Sequence, residues 1–419
     1  MVPNHMEVNF MKQLTKIFKT FNFDKEAQEQ NEMILDMVYE LAMNEIIEKE
    51  QDWDEEGAHF DPATKNVSYP SGMMDLYEKC QQNDLFSIIV PEKYDGFGLS
   101  YTLWNAVIEL MARASLAFSM FFPSQGLNIE IIDKFGTPEA KEKYLPLLAS
   151  GDAIGAMAFS EPNAGSDISA VTTKAEKEGD SYYLTGNKIW LSHGGAAGTY
   201  ITFAVTDKTA GPKGLSAFLV DPKITKENME VVGIEEKMGL HGSITSSMAL
   251  DRAEVPKENL LGKENDGFRL ILGSLASSRI GIAAQSVGIS ETALQESINY
   301  SMQREQFGRP IGKHQAISFM LADMATKVHQ ARLLYLSTAH MKHMGENTQI
   351  ESSMAKYWAT ELAQKVTYDA VQVHGGYGYS RSYRVERLFR DARVLTIYEG
   401  TSEMQKTIIS RGALARAQK

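Results

Sequence analysis

The spacing of apolar residues changes twice along this chain of 419 residues, and these changes constrain its architecture most. Helix-like spacing dominates the first part, short β-rich segments between turns fill the middle, and long helix-like segments return near Gly267. The length exceeds the roughly 250–300 residues at which a single hydrophobic core stops growing. We therefore expect an α+β protein with helices over 1–155, a β-barrel-like domain over 156–266 and a four-helix bundle over 267–419.

Local signals set the ends of several predicted helices. Thr137 can cap a helix that begins at Pro138 and ends before Gly151. Another long helix is predicted to end at Gly375–Gly376. Two amphipathic segments predict buried faces, one formed by Met33, Val38, Leu41 and Ile46, the other by Ile317, Met320, Leu321, Met324, Val328, Ala331 and Tyr335.

The middle of the chain is rich in strand and turn formers. The segment Ser181–Ser192 predicts two short strands around a turn at Thr185–Asn187, and further strand-like runs follow. Residues Phe60–Gly72 are rich in Pro, Gly and Ser and predict a loop.

Composition excludes several classes of protein. Hydrophobic residues make up 43% and charged residues 23%, which is typical of a globular chain, and the net charge of −12 argues against nucleic-acid binding. The single cysteine, Cys80, cannot form an intramolecular disulfide and fits a buried structural thiol in a reducing compartment. We expect no metal site, no membrane span and a cytoplasmic location, or the mitochondrial matrix in a eukaryote.

Three segments carry candidate chemistry, and each has an ordinary alternative. Ala158–Ala170 crowds small and polar residues into a turn that can approach a ligand, although many surface loops look similar. Gln372–Arg393 combines three glycines with five arginines, which in isolation indicate a solvated or interfacial face. Thr396–Gln405 contains Glu399, and a single glutamate in a loop normally lies at the surface.

Taken together and in this order, the motifs resemble those of the acyl-CoA dehydrogenase family from about residue 30 to 415. The matching segments are FSEPNAGSD, TGNKIWLSHGG, REQFGRPIGKHQAISFMLADMA, QVHGGYGY with RLFRDAR, and IYEGTSEMQ. The resemblance implies a flavin adenine dinucleotide (FAD) between the β-domain and the C-terminal helices. It also implies an acyl-CoA substrate, electron-transferring flavoprotein as partner, and a homotetramer.

The resemblance assigns expected roles to individual residues. Around the flavin ring it places Met157, Phe159, Ser160, Trp190 and Ser192, and near the adenine dinucleotide Thr401 and Glu403. Towards the cofactor of a neighbouring subunit it places Arg304, Gln306, Phe307, Gln372, Gly375 and Gly376. Against the substrate it places Ser166, Arg279 and Gly400.

Glu399 is the base that the resemblance implies. It removes the α-proton of the thioester while the β-hydrogen leaves as hydride to the flavin, and its backbone N–H helps to stabilise the enolate oxygen. Some relatives carry the base immediately before the CoA-binding arginine, but here that position is Ser278. Glu399 is therefore the carboxylate expected to act.

Departures from the family pattern bear on the acyl group. Ser119 stands where glutaryl-CoA enzymes have an arginine, so a terminal carboxylate lacks its usual partner. Phe121–Pro123 either narrow this end of the pocket or are ordinary packing. Ala276 replaces a frequent acidic residue, and His193 replaces a common asparagine and receives no catalytic role.

Other functions remain open on the same fold. An acyl-CoA oxidase or an enoyl-CoA reductase would use the same site. A DNA-binding or scaffolding flavoprotein is the alternative from another class; the acidic charge and the intact base at Glu399 speak against it.

Overall fold

The computed structural model describes residues 4–21 and 23–416, so the predicted domain ends at residues 1 and 419 lie outside the described part. Helices dominate the first part of the chain, interrupted by one small hairpin. In chain order these elements are α1 (Asn4–Phe18), α2 (Lys25–Leu41), α3 (Ile47–Glu56), β1 (His59–Phe60), β2 (Val67–Ser68), α4 (Met73–Gln82), α5 (Tyr101–Ala114), α6 (Leu116–Ser119), α7 (Phe121–Phe135) and α8 (Pro138–Ala149).

Strands then replace helices, as the sequence predicts. They are β3 (Gly155–Ala158), β4 (Lys174–Glu178), β5 (Ser181–Ser192), β6 (Thr199–Val205), β7 (Leu215–Val220), β8 (Met229–Ile234), β9 (Thr245–Pro256) and β10 (Leu260–Leu261), with the short helix α9 (Pro222–Thr225) after β7.

The last part is helical again, so the predicted order of helices, strands and helices is confirmed. Its elements are α10 (Gly267–Gln303), β11 (Glu305–Gln306), β12 (Arg309–Pro310), α11 (Gln315–His343), α12 (Gln349–His374), α13 (Arg384–Ala392) and α14 (Ser402–Arg416).

The chain divides into two compact units. Unit 1 comprises the described residues up to Gln51, then Ser100–Leu116 and the chain from Arg279 onward. Unit 2 comprises Asp52–Leu99 and Ala117–Ser278. The N-terminal helices are thus shared between the two units.

An eight-stranded sheet forms the centre of unit 2. Its strands run in the order β10-β7-β6-β4-β5-β9-β8, and β3 pairs in parallel with β6 through Gly155↔Thr199 to Ala158↔Thr202. Apolar side chains of β6 and β7 pack with those of α7 and α8 in one core that includes Ile132, Leu145, Ile201, Phe203 and Leu219. This core supports the end of β3.

Helix caps behave as the sequence predicts. The Thr137 side chain accepts a hydrogen bond from the Ala140 N–H, Pro138 opens α8, and Gly151 follows with φ +76. Helix α12 ends at Gly375, whose φ of 60 lies in the left-handed region that favours glycine. Cys80 is fully buried, and burial raises the pKa of its thiol, which fits the predicted inert role.

Two predictions about the β-region are wrong. Ser181–Ser192 forms one strand, because the irregularities between Leu184 and Gly186 and after Lys188 are bulges and not a turn. A Cβ at Gly186 would lie 2.4 Å from the Thr173 hydroxyl oxygen, so close packing explains this glycine. Phe60–Gly72 is not merely a loop, since it contains most of the β1–β2 hairpin.

The amphipathic faces are mostly confirmed. Met324, Val328, Ala331 and Tyr335 are buried on α11, with Ile317, Met320 and Leu321 partly buried. In the first segment Val38, Leu41 and Ile46 are buried, but Met33 is 66% exposed, so its predicted core position is wrong. Ile34 and Leu35 take the inward positions instead.

Among the described residues, one helix has the length and hydropathy expected of a membrane span. It is α10, and 83% of its most apolar window is buried inside the protein. The core helix of a soluble protein passes the same test, so the predicted absence of a membrane span stays a prediction.

Three of the five arginines in the arginine-rich segment form internal ion pairs, whereas Arg381 and Arg393 are exposed, so the solvated face that the arginines suggest in isolation holds only for those two. Arg384 and Arg387 both contact the buried Glu50 carboxylate, at 2.7 and 3.0 Å. Arg390 pairs with Glu386 one helical turn earlier. These side chains tie α13 to α3 within unit 1.

A second buried network joins the helices of unit 1. The Arg332 side chain donates from Nε to Glu109 at 2.8 Å and from Nη2 to Glu291 at 2.7 Å. The Tyr335 hydroxyl also donates to the Glu109 carboxylate. Because a buried charge is costly without a partner, the three helices α5, α10 and α11 must keep their register.

We predict that Glu109→Gln lowers the free energy of unfolding by ~3–5 kcal/mol, because Arg332 keeps its buried charge with one carboxylate lost. Glu178→Gln is the matched control; its exposed pair with Arg252 should cost less than ~1 kcal/mol. Urea denaturation of both variants measures the difference. Equal midpoints for the two variants would contradict a structural role for the buried network.

Candidate active site

In unit 2, the segment after β3 lies against β5. Met157 is in β3, and Phe159 and Ser160 follow it, all three partly buried. The Ile189 N–H donates to the Ser160 carbonyl at 2.9 Å, which places Ser160 beside Trp190. The structure therefore brings together the predicted ring-contacting residues of both motifs.

A buried ion pair holds this segment in place. The Lys188 ammonium is 2.7 Å from the Glu161 carboxylate and also donates to the Phe203 carbonyl at 2.7 Å and, at 3.4 Å, to the Phe159 carbonyl. Lys188 and the hydroxyls of the neighbouring threonines, Thr172 and Thr173, hold the pKa of Glu161 down at about 2, against the effect of burial. The loop after β3 is therefore anchored by charge.

The end of β5 presents an exposed indole. Trp190 has φ 60 and is 58% exposed, while Ser192 two residues later is partly buried. A large apolar side chain held outward in the left-handed region is costly unless a ligand covers it. Ser166 is also exposed, in the turn after Glu161.

In unit 1, Glu399 lies on a tightly held loop. Glu399 has φ 52 and Gly400 has φ 90. The Gln405 amide nitrogen donates to the Gly400 carbonyl at 2.8 Å and to the Glu399 carbonyl at 3.3 Å. A Cβ at Gly400 would lie 2.7 Å from that nitrogen, so only glycine fits. The preceding Tyr398 donates from its hydroxyl to Gln285 at 2.7 Å.

Two buried cations act on this loop. Lys356 on α12 is inaccessible to solvent, and its ammonium donates to the Gly400 carbonyl at 2.6 Å. Burial lowers the pKa of Lys356 to about 8, while the Glu399 carboxylate opposes this shift. Burial likewise lowers the pKa of Arg279 to about 10, again against Glu399. The Glu399 carboxylate thus lies in the field of both cations.

Arg279 carries a buried donor without a partner in the described part of the chain. It is 4% exposed, and among residues 4–21 and 23–416 its Nε has no hydrogen-bond partner. A buried donor left unpaired costs free energy, and an oxygen-rich ligand would satisfy it. Ser278, at the alternative base position, donates its hydroxyl to the Leu275 carbonyl of its own helix.

A second group of predicted residues lies at one end of the helices in unit 1. Arg304 follows α10, and its guanidinium lies 5.8 Å from the centroid of Tyr377, directly after Gly375 and Gly376. The structure therefore brings Arg304 together with the glycine turn. Gln306 and Gln372 are exposed as well, and Phe307 is 95% exposed at the tip of the β11–β12 hairpin.

Thr401 directly precedes α14 and Glu403 lies in its first turn, after the Glu399 loop. The Thr401 hydroxyl accepts from the Met404 N–H at 3.4 Å. Hydrogen bonds from its own backbone N–H and from Thr401 lower the pKa of Glu403. Both residues lie near the Glu399 loop and are accessible, as a cofactor contact requires.

These residues fit FAD chemically. Unit 2 offers an exposed indole and two hydroxyls, which suit a flat ring with polar edges. Unit 1 offers an arginine fork and a glycine turn where Cβ atoms at Gly375 and Gly376 would meet nothing within 4 Å, which suits a pyrophosphate. In the part of the chain that the structure describes, no cluster of metal-ligating side chains accompanies them.

Sequence reasoning missed the residues that position the loops. Lys188, Lys356 and Gln405 carry no signal as isolated polar residues. The signal that could have found two of them is their position in the apolar pattern of their element. Lys188 lies at an inward position of β5, and Lys356 lies between the buried Ala355 and Ala359 on α12. A charged residue on an apolar face indicates a buried partner.

Comparison with family models matches three acyl-CoA dehydrogenase models along this chain. The N-terminal domain matches residues 28–152, the middle domain 156–253 and the C-terminal domain 265–414.

Characterised relatives and solved structures agree. An acyl-CoA dehydrogenase of Bacillus subtilis is 46% identical over 339 residues, covering 80% of this chain and 88% of the relative. A caffeyl-CoA reductase–Etf complex subunit of Acetobacterium woodii is 38% identical, covering 91% and 97%. The butyryl-CoA dehydrogenase structure of Megasphaera elsdenii superposes with a TM-score of 0.85 at 34% identity, covering 94% and 99%. This chain belongs to the acyl-CoA dehydrogenase family of FAD-dependent oxidoreductases.

Proposed function

We propose that the protein oxidises an acyl-CoA thioester to the trans-2-enoyl-CoA, with Glu399 removing the α-proton. FAD, when bound, accepts the β-hydrogen as hydride. The observation that carries the proposal is the Glu399 loop, which is held by Lys356 and Gln405 beside the unsatisfied donor of Arg279. A base whose backbone is held this firmly can be aligned with one C–H bond.

The positive charge around the loop has a chemical use. Proton removal from a thioester builds negative charge on the substrate. Lys356 and Arg279 both interact electrostatically with the Glu399 carboxylate. Arg279, whose Nε has no hydrogen-bond partner among the described residues, can contact the anionic substrate.

Electron-transferring flavoprotein is the proposed acceptor of the electrons. The Acetobacterium woodii relative is named as part of a complex with such a flavoprotein, which supports this partner. That relative is also named a reductase. The second candidate function is therefore the reverse reaction, reduction of an enoyl-CoA, with Glu399 returning the proton.

We further propose a homotetramer. Phe307 is almost fully exposed, with φ 54 at a hairpin tip, and follows Arg304 and Gln306. An exposed aromatic side chain beside cofactor-binding residues fits contact with a second copy of the chain.

Anaerobic titration with straight, branched, cyclic and aromatic acyl-CoAs tests the reaction, since a substrate bleaches the flavin. We predict that Glu399→Gln slows bleaching by the best substrate about 10²- to 10⁴-fold, because the amide cannot accept the proton. Glu227→Gln, at an exposed carboxylate in unit 2, is the control and should react like the unchanged protein. Bleaching by no acyl-CoA sinks the proposal, and rapid reoxidation in air indicates an oxidase.

We predict that Lys356→Met lowers kcat about 10- to 100-fold with KM changed less than about threefold, because the Gly400 carbonyl loses its donor and Glu399 shifts. Lys365→Met on the same helix is the matched control, since Lys365 is exposed and pairs with Asp369. Steady-state kinetics with a dye acceptor, together with the flavin content, measures both variants. Equal kcat values in the two variants refute the positioning role of Lys356.

We predict that Phe307→Ser reduces both the molecular mass in solution and the retained FAD, because contact with a second subunit is lost. Met33→Ser removes a similarly exposed side chain from α2 and should change neither. Light scattering after gel filtration gives the mass, and absorbance gives the FAD per subunit. A tetramer with full FAD in the Phe307→Ser variant argues against this interface.

A further inference from the structure

The imidazole of His193 is held on both of its nitrogens. His193 is fully buried at the end of β5. Its Nε2 lies 3.1 Å from the Met120 carbonyl oxygen, and its Nδ1 lies 2.7 Å from the Tyr69 hydroxyl. A carbonyl only accepts, so Nε2 carries the hydrogen and Nδ1 accepts from Tyr69. The hydrogen bonds fix a single neutral tautomer.

The ring plane of His193 is fixed as well. Phe121 stacks on the imidazole with ring centroids 4.8 Å apart and planes at 15°. Tyr69 packs on the same phenyl ring at 5.1 Å. Burial lowers the pKa of His193 to about 4, so the side chain is neutral at physiological pH. With both nitrogens occupied and no path to solvent, His193 is not a general base.

This contact holds a strained turn. Trp190 and His193 both have a left-handed backbone conformation, with φ 60 and 62. Residues other than glycine adopt this conformation at a cost in free energy. The His193 N–H donates to the Ile244 carbonyl at 3.1 Å. Such strain persists only where surrounding contacts determine the conformation. The His193 side chain makes three such contacts, with Tyr69, Met120 and Phe121.

The β1–β2 hairpin brings Tyr69 to this turn. Tyr69 follows β2 directly. At Gly195, with φ 90, a Cβ would lie 2.8 Å from the Val67 Cγ2 and 2.6 Å from the Val231 Cγ2. The hairpin therefore lies directly against the turn. Tyr69, which supports the turn through His193, thus comes from a segment for which the sequence predicts only a loop.

We propose that Tyr69 and His193 are positioning residues for the flavin. The chain of hydrogen bonds from Tyr69 through His193 to Met120 holds the turn that presents Trp190 and Ser192, and so sets the affinity and the polar surroundings of the flavin ring. This inference rests on the proposed role of Trp190 and Ser192 as flavin contacts, but not on the identity of the substrate.

The test uses the full chain stripped of flavin and reconstituted with FAD. Tyr69→Phe removes one hydroxyl and leaves the Nδ1 of buried His193 unpaired. We expect FAD to bind about tenfold more weakly, and the visible flavin absorption bands of the reconstituted protein to shift. Tyr183→Phe makes the same change on β5, where the ring lies over Arg252, and should leave both readouts unchanged.

His193→Asn provides a second variant, because the shorter amide cannot reach both Tyr69 and Met120. We expect weaker FAD binding and shifted flavin absorption bands, as for Tyr69→Phe. The double variant should bind FAD little worse than His193→Asn alone, since both changes break one chain of hydrogen bonds. FAD affinities of both single variants within twofold of the unchanged protein would overturn the proposal.

Solid-state ¹⁵N NMR of histidine-labelled protein gives a readout without any variant of Tyr69. The resonance missing in His193→Asn identifies His193, and we expect the neutral Nε2–H tautomer from pH 5.5 to 8. The Nδ1–H tautomer, or titration near pH 6.5, overturns the proposal. If no acyl-CoA bleaches the flavin while these results hold, the proposed reaction fails and the positioning role stands.

Discussion

Two buried ammonium groups fix the main-chain segments on which the site depends. In unit 2, Lys188 donates to the carbonyls of Phe159 and Phe203. In unit 1, Lys356 donates to the Gly400 carbonyl. An ammonium without solvent needs oxygen acceptors at short distance, so the surrounding backbone has few alternatives. Because leaving a buried charge without acceptors is costly, the loop stays in the one conformation that supplies them.

Strained backbone accompanies both of these segments. Trp190, two residues after Lys188, and Glu399, beside the carbonyl that Lys356 holds, are two of the eleven non-glycine residues with positive φ in the described chain. Left-handed backbone reverses the direction of a side chain within a single residue, which lets a short loop present it outward. Lys356 and Gln405 supply contacts that offset the strain at Glu399, and the contacts of the His193 side chain do so in the turn after Trp190. In both places buried polar contacts maintain the strained conformation.

Sequence patterns predicted the fold well wherever the signal is local. The cap at Thr137, the helix end at Gly375 and the alternation of helices and strands depend on neighbouring residues, so they are readable. The motif identified Glu399, but no motif identified the groups that hold its loop. Lys356 is 43 positions away in sequence from Glu399, and only the packing of α12 against the loop brings them together. Gly186 misled the prediction because its small size serves packing instead of a turn.

The arginines of this chain differ in whether the fold itself supplies a partner for their charge. The Arg384 and Arg387 guanidinium groups share the Glu50 carboxylate, so each charge has an ion-pair partner inside the fold. Arg279 is equally buried, but its one side-chain hydrogen bond within the described part of the chain is a 3.4 Å contact with the Ser353 hydroxyl, and Arg304 lies exposed beside the Tyr377 ring. A buried arginine that the fold satisfies so poorly is costly without a ligand. The difference in pairing, which only the structure reveals, therefore makes Arg279 the buried arginine that we propose for an anionic ligand.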